Sequence, residues 1–161
     1  MNTTNFSTTL LVPQSPQEVF DAICNPRAWW SEEINGPTDQ LQAGFDYHFQ
    51  DVHRCRIQIT ELEPGRQVTW LVRDNYFKFT EDHSEWTGTL ISFELFPEAG
   101  QTALRFTHKG LTPQYECYDI CSNAWTTYIQ GSLRKLITTG KGEPNSRETP
   151  RTEAEQRLGN F

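Results

Sequence analysis

Few residues in this chain of 161 amino acids pair a reactive type with a spacing that suggests chemistry. His108 is the foremost. It ends a run in which Leu104, Phe106 and His108 alternate with Arg105 and Thr107, so it shares the apolar face of a strand. An imidazole there can exchange a proton near neutral pH or orient a ligand carbonyl, and a packed, hydrogen-bonded core histidine leaves the same trace. Tyr118, Cys121 and Trp125 recur at i, i+3 and i+7. That stripe fits either a helix face over a cavity or ordinary core, and Tyr118 is the second candidate for proton transfer. Cys117 and Cys121, with His53 and Cys55 on one strand face, are metal-binding types. No compact Cys-x-x-Cys pair accompanies them, so reduced core thiols are expected, with no metal and no cofactor. Glu32-Glu33 and Glu61/Glu63 read as solvated loop and turn residues, not as an acid–base pair. The chain has no Gly-x-Ser-x-Gly elbow and no Gly-x-Gly-x-x-Gly after a strand, and Gly140-Lys141 lacks the upstream glycine of a phosphate loop.

The largest element that must position these groups is an amphipathic run from Thr112 to Ile137, about seven helical turns long. Cys117, Tyr118, Cys121, Trp125, Tyr128, Ile129, Ser132, Leu133 and Leu136 fall on one face. Thr112-Pro113 predicts its start and Gly140 its end. Gly131 inside it points to close backbone approach or to simple tolerance. Upstream, Phe6 to Val12 reads as a strand, and Ser15-Pro16-Gln17-Glu18 as a capping box opening a short helix to about Cys24. Asn25-Pro26 opens a second short helical turn carrying Trp29 and Trp30. Period-two runs at Phe45–Phe49, Cys55–Ile59, Val68–Val72, Ile91–Leu95 and Leu104–His108 predict antiparallel strands. Asp74 to Glu85 is polar, bordered by aromatic residues, and is a candidate gate. Each strand is apolar on one face, so the expected fold is α+β, a curved antiparallel sheet wrapped round the long helix. The domain spans 1–140; residues 141–161, with few apolar side chains, read as a flexible polar tail.

Aromatic residues make up 12% of the chain, so much of the burial must come from rings. Residues 1–138 hold 10 Lys and Arg against 17 Asp and Glu, which places the whole net charge of −7 in the folded body. An acidic body argues against nucleic acid as a partner. No apolar run is long enough for a membrane span, and no leader is apparent, so a cytoplasmic protein is expected.

The order of these signals resembles the helix-grip (SRPBCC, START-like, Bet v1-like) superfamily. The residues that carry it are Ser15-Pro16-Gln17-Glu18-Val19-Phe20-Asp21-Ala22, Asn25-Pro26, Trp29-Trp30, Glu63-Pro64 before Val68-Thr69-Trp70, Gly88-Thr89 through Phe93-Glu94-Leu95, and Thr107-His108-Lys109-Gly110-Leu111 before the helix with Trp125, Tyr128 and Ser132-Leu133. Within it, the sequence is most similar to the branch related to the C-terminal domain of the Hsp90 ATPase activator Aha1. The resemblance implies a cavity between sheet and long helix for a small hydrophobic or amphipathic molecule. Its implied lining is Trp30, Tyr47, Ile57, Trp70, Phe93, Phe106, His108, Tyr118, Cys121 and Trp125. It also implies two alternatives: a cyclase- or aromatase-like enzyme using His108 and Tyr118 in the same cavity, or a stress-response interaction module with a chaperone or a second copy as partner.

Overall fold

The computed structural model describes residues 4–161. After β1, Phe6–Val12, the Ser15 hydroxyl accepts from the Glu18 N–H at 3.2 Å, and the Ser15 N–H donates back to the Glu18 carboxylate. With Pro16 in the first turn, this capping box starts α1, Pro16–Ile23, which buries Val19, Phe20 and Ile23. A 3₁₀ turn, Pro26–Ala28, then delivers Trp29 and Trp30 to the core.

Strands β2 (Gly44–Phe49), β3 (His53–Glu63), β4 (Gln67–Phe77), β5 (Leu90–Glu98) and β6 (Gln101–Lys109) join β1 in one antiparallel sheet, ordered β1-β6-β5-β4-β3-β2. The sheet curves round the C-terminal helix in the expected helix-grip arrangement. Two register shifts interrupt the β3–β4 ladder. At the first, Arg56 faces Asp74 and Ile57 faces Val72, which leaves Arg73 as the bulged residue. Strict alternation from Val72 would bury Asp74 and Tyr76; the bulge buries Asn75 and Phe77 instead.

The long helix starts later than Thr112-Pro113 suggests. Residues 112–117 form turns, and α2 runs Tyr118–Thr126, followed by a π-helical stretch, Thr127–Leu133, and α3, Arg134–Thr139. Its start is capped from outside: the Glu85 carboxylate accepts from the N–H groups of Glu116 and Cys117 at 2.8 and 3.0 Å. The polar segment before β5 therefore ties down the helix. The wider π turn slips the buried face, so that Ile137 and not Leu136 is buried in the last turn. Gly131 is exposed, and a β-carbon there would meet nothing within 4 Å, so close backbone approach is not the reason for it.

The segment beyond α3 departs from the expected solvated tail. Gly140, at φ +85°, turns the chain back on itself. Asn145 then pairs with the segment after the 3₁₀ turn: its N–H donates to the Trp30 carbonyl, and the Glu32 N–H donates to its carbonyl, both at 2.9 Å. A β-carbon on Gly142 would lie 2.3 Å from the Ala28 carbonyl oxygen, so this crossing requires glycine. A second capping box at Thr152 opens α4, Glu153–Leu158, and Asn145 and Glu155 are buried. The packed body thus extends past residue 140, held there by polar contacts that a hydrophobicity pattern does not register. No helix among the described residues is long and apolar enough to cross a membrane.

Candidate functional site

An apolar chamber of about 60 Å³ lies between the β2–β4 side of the sheet and α2. Its walls are Trp30, Tyr47 and Phe49, then Val52, His53 and Phe77, then Phe79 and Trp86 from the segment before β5. The helix adds Ile120, Cys121, Ala124, Trp125 and Tyr128. Trp30 stacks on Tyr47 with centroids 4.1 Å apart, and Trp86 lies nearly parallel to Trp125 at 5.6 Å. The last wall is the C-terminal segment itself, through Thr152, Ala154, Glu155 and Leu158. This volume suits about two water molecules, well short of the roughly 300 Å³ at which small-molecule pockets begin.

The C-terminal wall is held by a buried polar latch. The Tyr128 hydroxyl donates to the Glu155 carboxylate at 2.6 Å, and the Asn145 amide N–H group reaches the Tyr128 and Tyr47 hydroxyls at 2.8 and 3.2 Å. The other Glu155 oxygen accepts from the N–H groups of Arg151 and Thr152 at 2.8 and 3.2 Å. Burial and the nearby Glu155 charge raise the Tyr47 pKa; burial, Tyr47 and Glu155 raise that of Tyr128. Both therefore stay protonated. The carbonyl oxygen of the Asn145 side chain is buried without a partner.

Two histidines flank this region and differ in what they offer. His108 accepts from the Trp125 indole N–H through Nδ1 at 3.0 Å, so its own proton sits on Nε2. That proton is donated to the Thr89 hydroxyl at 2.8 Å, and the hydroxyl donates onward to the Trp86 carbonyl at 2.6 Å. Both ring nitrogens are used, and burial, with His53 adding to it, pushes the pKa down to about 3. Such a histidine is a structural bracket between sheet and helix. His53 has one nitrogen engaged: Nε2 pairs with the Asn75 side-chain oxygen at 2.8 Å. Burial lowers its pKa to about 3 against the raising effect of that bond.

Of the residues expected to line a cavity, Trp30, Tyr47, Cys121 and Trp125 stand on the chamber wall. Ile57, Trp70, Phe93, Phe106 and His108 are fully buried in the packing beside it, where Trp70 stacks against Trp29 and Trp30. Tyr118, half-buried at the first turn of α2, is not part of the wall, so the structure does not bring the His108–Tyr118 pair together in the chamber. Burial raises the Cys121 thiol, and Cys24, Cys55, Cys117 and Cys121 are all free. No cluster of three or more His, Cys, Asp or Glu among the described residues is placed to hold a metal. The wall residues that sequence reasoning passed over are chiefly His53, Trp86 and Glu155. His53 had a readable signal in sharing a strand face with Cys55; Glu155, in a polar stretch, had none.

No curated protein matches the chain significantly. Among solved structures, the fold is similar to the Aha1 dimer from Colwellia psychrerythraea, with 25% identity, a TM-score of 0.69, and coverage of 86% of this chain and 99% of that one. A protein from Mesorhizobium loti shares 13% identity at a TM-score of 0.66, over 83% of this chain and 96% of that one. CalU16 from Micromonospora echinospora shares 16% at 0.56, over 83% and 76%. Residues 13–138 match the family described as Activator of Hsp90 ATPase homolog 1-like protein. The match runs from the residue after β1 to the penultimate residue of α3 and stops short of the C-terminal segment, and on it the chain belongs to the Activator of Hsp90 ATPase homolog 1-like protein family.

Proposed function

We propose that this protein binds a small hydrophobic or amphipathic molecule in the chamber between sheet and helix, and that the molecule enters when the C-terminal segment lifts away. The observation that carries the reading is the make-up of the chamber: aromatic on the fixed side, and walled on the other by Thr152, Ala154, Glu155 and Leu158. A core filled for stability alone needs no separable wall. The latch is also suited to release. Glu155 is a buried carboxylate that pairs with no Lys or Arg among the described residues, and Asn145 keeps an unsatisfied oxygen. Both groups regain hydration on opening, which offsets part of what the latch bonds contribute. Opening also removes a short helix of marginal intrinsic stability and leaves the sheet intact.

The enzymatic alternative loses its leading residues, since both nitrogens of His108 are occupied and Tyr118 lies off the wall. Self-association has independent support in the dimer of the Colwellia relative. A single set of measurements on the full chain separates these readings. Trp30, Trp86 and Trp125 stand on the chamber wall, so intrinsic fluorescence reports its occupancy. Small aromatic probes are expected to quench or shift that emission saturably, and more tightly in Gly142→Ala, where the strap no longer fits. Probes that bind neither form would overturn the proposal, and the molecular mass in solution decides on the dimer.

A further inference from the structure

The chamber wall carries an acceptor that none of the described residues engages, and it narrows what kind of molecule belongs there. Asn75 sets it up. Its side-chain N–H group donates to the His83 carbonyl at 3.2 Å, which turns its oxygen toward His53. An amide oxygen only accepts, so the His53 Nε2 at 2.8 Å must carry the hydrogen. In a neutral imidazole the other nitrogen, Nδ1, is then a bare acceptor. Among the described residues none donates to it. The ring stands on the chamber wall between the rings of Tyr47, Phe77 and Trp86, with centroids 5.1, 4.3 and 4.6 Å away.

We propose that His53 Nδ1 is the specificity-determining acceptor of the chamber, and that the ligand is a compact, uncharged ring-bearing molecule with one hydroxyl or N–H donor, of the phenol or indole class. The proposal rests on the chamber binding a ligand at all. The class follows from complementarity. Stacked indole and phenol walls suit a flat ring. A carboxylate or phosphate would set its lone pairs against that of Nδ1 and lose its hydration among aromatic side chains. An ammonium ion meets the same desolvation, and the Glu155 carboxylate is already engaged by the Tyr128 hydroxyl and the N–H groups of Arg151 and Thr152. On the same wall the Trp86 indole N–H is buried without a hydrogen-bond partner, and the Asn145 side-chain oxygen is unpaired behind the latch. The Tyr47 and Tyr128 hydroxyls face Asn145 and Glu155, and the Thr152 hydroxyl accepts from the Glu155 N–H. Burial keeps the imidazole neutral through the physiological range, so it presents a lone pair and not a charge.

The test compares phenol with toluene, which have nearly the same shape and differ in the donor. Affinities are measured by tryptophan fluorescence in the full-length Gly142→Ala protein, with and without His53→Phe. The ratio of the toluene to the phenol dissociation constant cancels the ligands' own hydration when it is compared between the two proteins. It is expected to fall about tenfold on His53→Phe, the scale of one buried hydrogen bond. In the unsubstituted protein at saturating probe, the ¹⁵N resonance of His53 Nδ1 should move with phenol and stay with toluene, a readout that does not depend on the variant folding. An unchanged ratio together with an unmoved Nδ1 resonance overturns the assignment while leaving the binding function standing. Failure of both probes to bind removes the two together.

Discussion

The Tyr128 hydroxyl donates to the Glu155 carboxylate at 2.6 Å, and through that bond the middle of the long helix holds a segment that lies outside the family-matched residues. A hydrogen bond to a charged acceptor contributes about 1.5–3 kcal/mol, so Tyr128→Phe should raise the open population of the C-terminal segment roughly 10- to 100-fold. Amide exchange over residues 153–158 and tryptic cleavage after Arg147 and Arg151 should both quicken by that factor, with exchange in β3 and β4 unchanged. Equal acceleration throughout the sheet would mean that the segment is part of the global unfolding unit and not a lid.

Two glycines give opposite predictions. Gly131 is exposed, with open space where a β-carbon would go, so Gly131→Ala should stabilise the protein by about 0.5–1 kcal/mol through helix propensity, seen as a small rise in melting temperature. Gly142→Ala sets a methyl against the Ala28 carbonyl and the Ser132 backbone oxygen, which are 2.3 and 3.1 Å from the β-carbon position. It should free the strap and quicken cleavage after Arg147 with less effect on the melting of the sheet.

Glu85→Ala tests whether the polar segment before β5 is a working part of the fold. Glu85 caps the helix through two N–H groups, so its loss should cost about 1–2 kcal/mol and fray the first turn, which would appear as faster exchange at Glu116 and Cys117. Glu85→Gln, which keeps an acceptor, should recover part of that.

Much of this architecture is legible in the sequence because it follows from short-range rules. The Ser15 capping box, the Pro26 turn and the alternation of Phe45, Tyr47 and Phe49 each specify their own local geometry. What could not be read are features that depend on one extra residue or on a distant partner. Arg73 is unremarkable in sequence, yet its bulge decides that Asn75 and not Asp74 faces inward, and hence that His53 acquires a fixed tautomer. The π stretch displaces the helical face in the same way, so that Leu136 gives its buried place to Ile137. His108 was legible as a residue of the inner face but not in its role, since that role depends on Trp125 and Thr89 occupying both of its nitrogens. The C-terminal segment was the largest misreading. Its composition is that of a solvated tail, and what docks it is a carboxylate, an amide and two tyrosine hydroxyls that come together only in the folded chain.

Two histidines, His108 buried and His53 partly buried, also set how stability depends on pH. Burial lowers His53 and His108 from the ordinary 6.5 to about 3, so between these values the unfolded chain binds protons that the folded chain refuses. The contribution is complete above pH 6.5 and is lost as pH falls from there toward 3. At pH 5, before most carboxylates titrate, each histidine should have removed about 2 kcal/mol relative to pH 7.5, or about 4 kcal/mol for the pair, a large part of a typical folding free energy. Urea unfolding across this range should therefore give a midpoint that falls steadily below pH 6.5. His108→Gln lowers stability at pH 7.5 but removes one titrating group, so its profile should be about half as steep, and its disadvantage should shrink as the medium becomes more acidic. A variant profile parallel to that of the unsubstituted protein would show that His108 is protonated in the folded state. The bond from the Trp125 indole would then have to be absent, since a protonated Nδ1 can accept nothing.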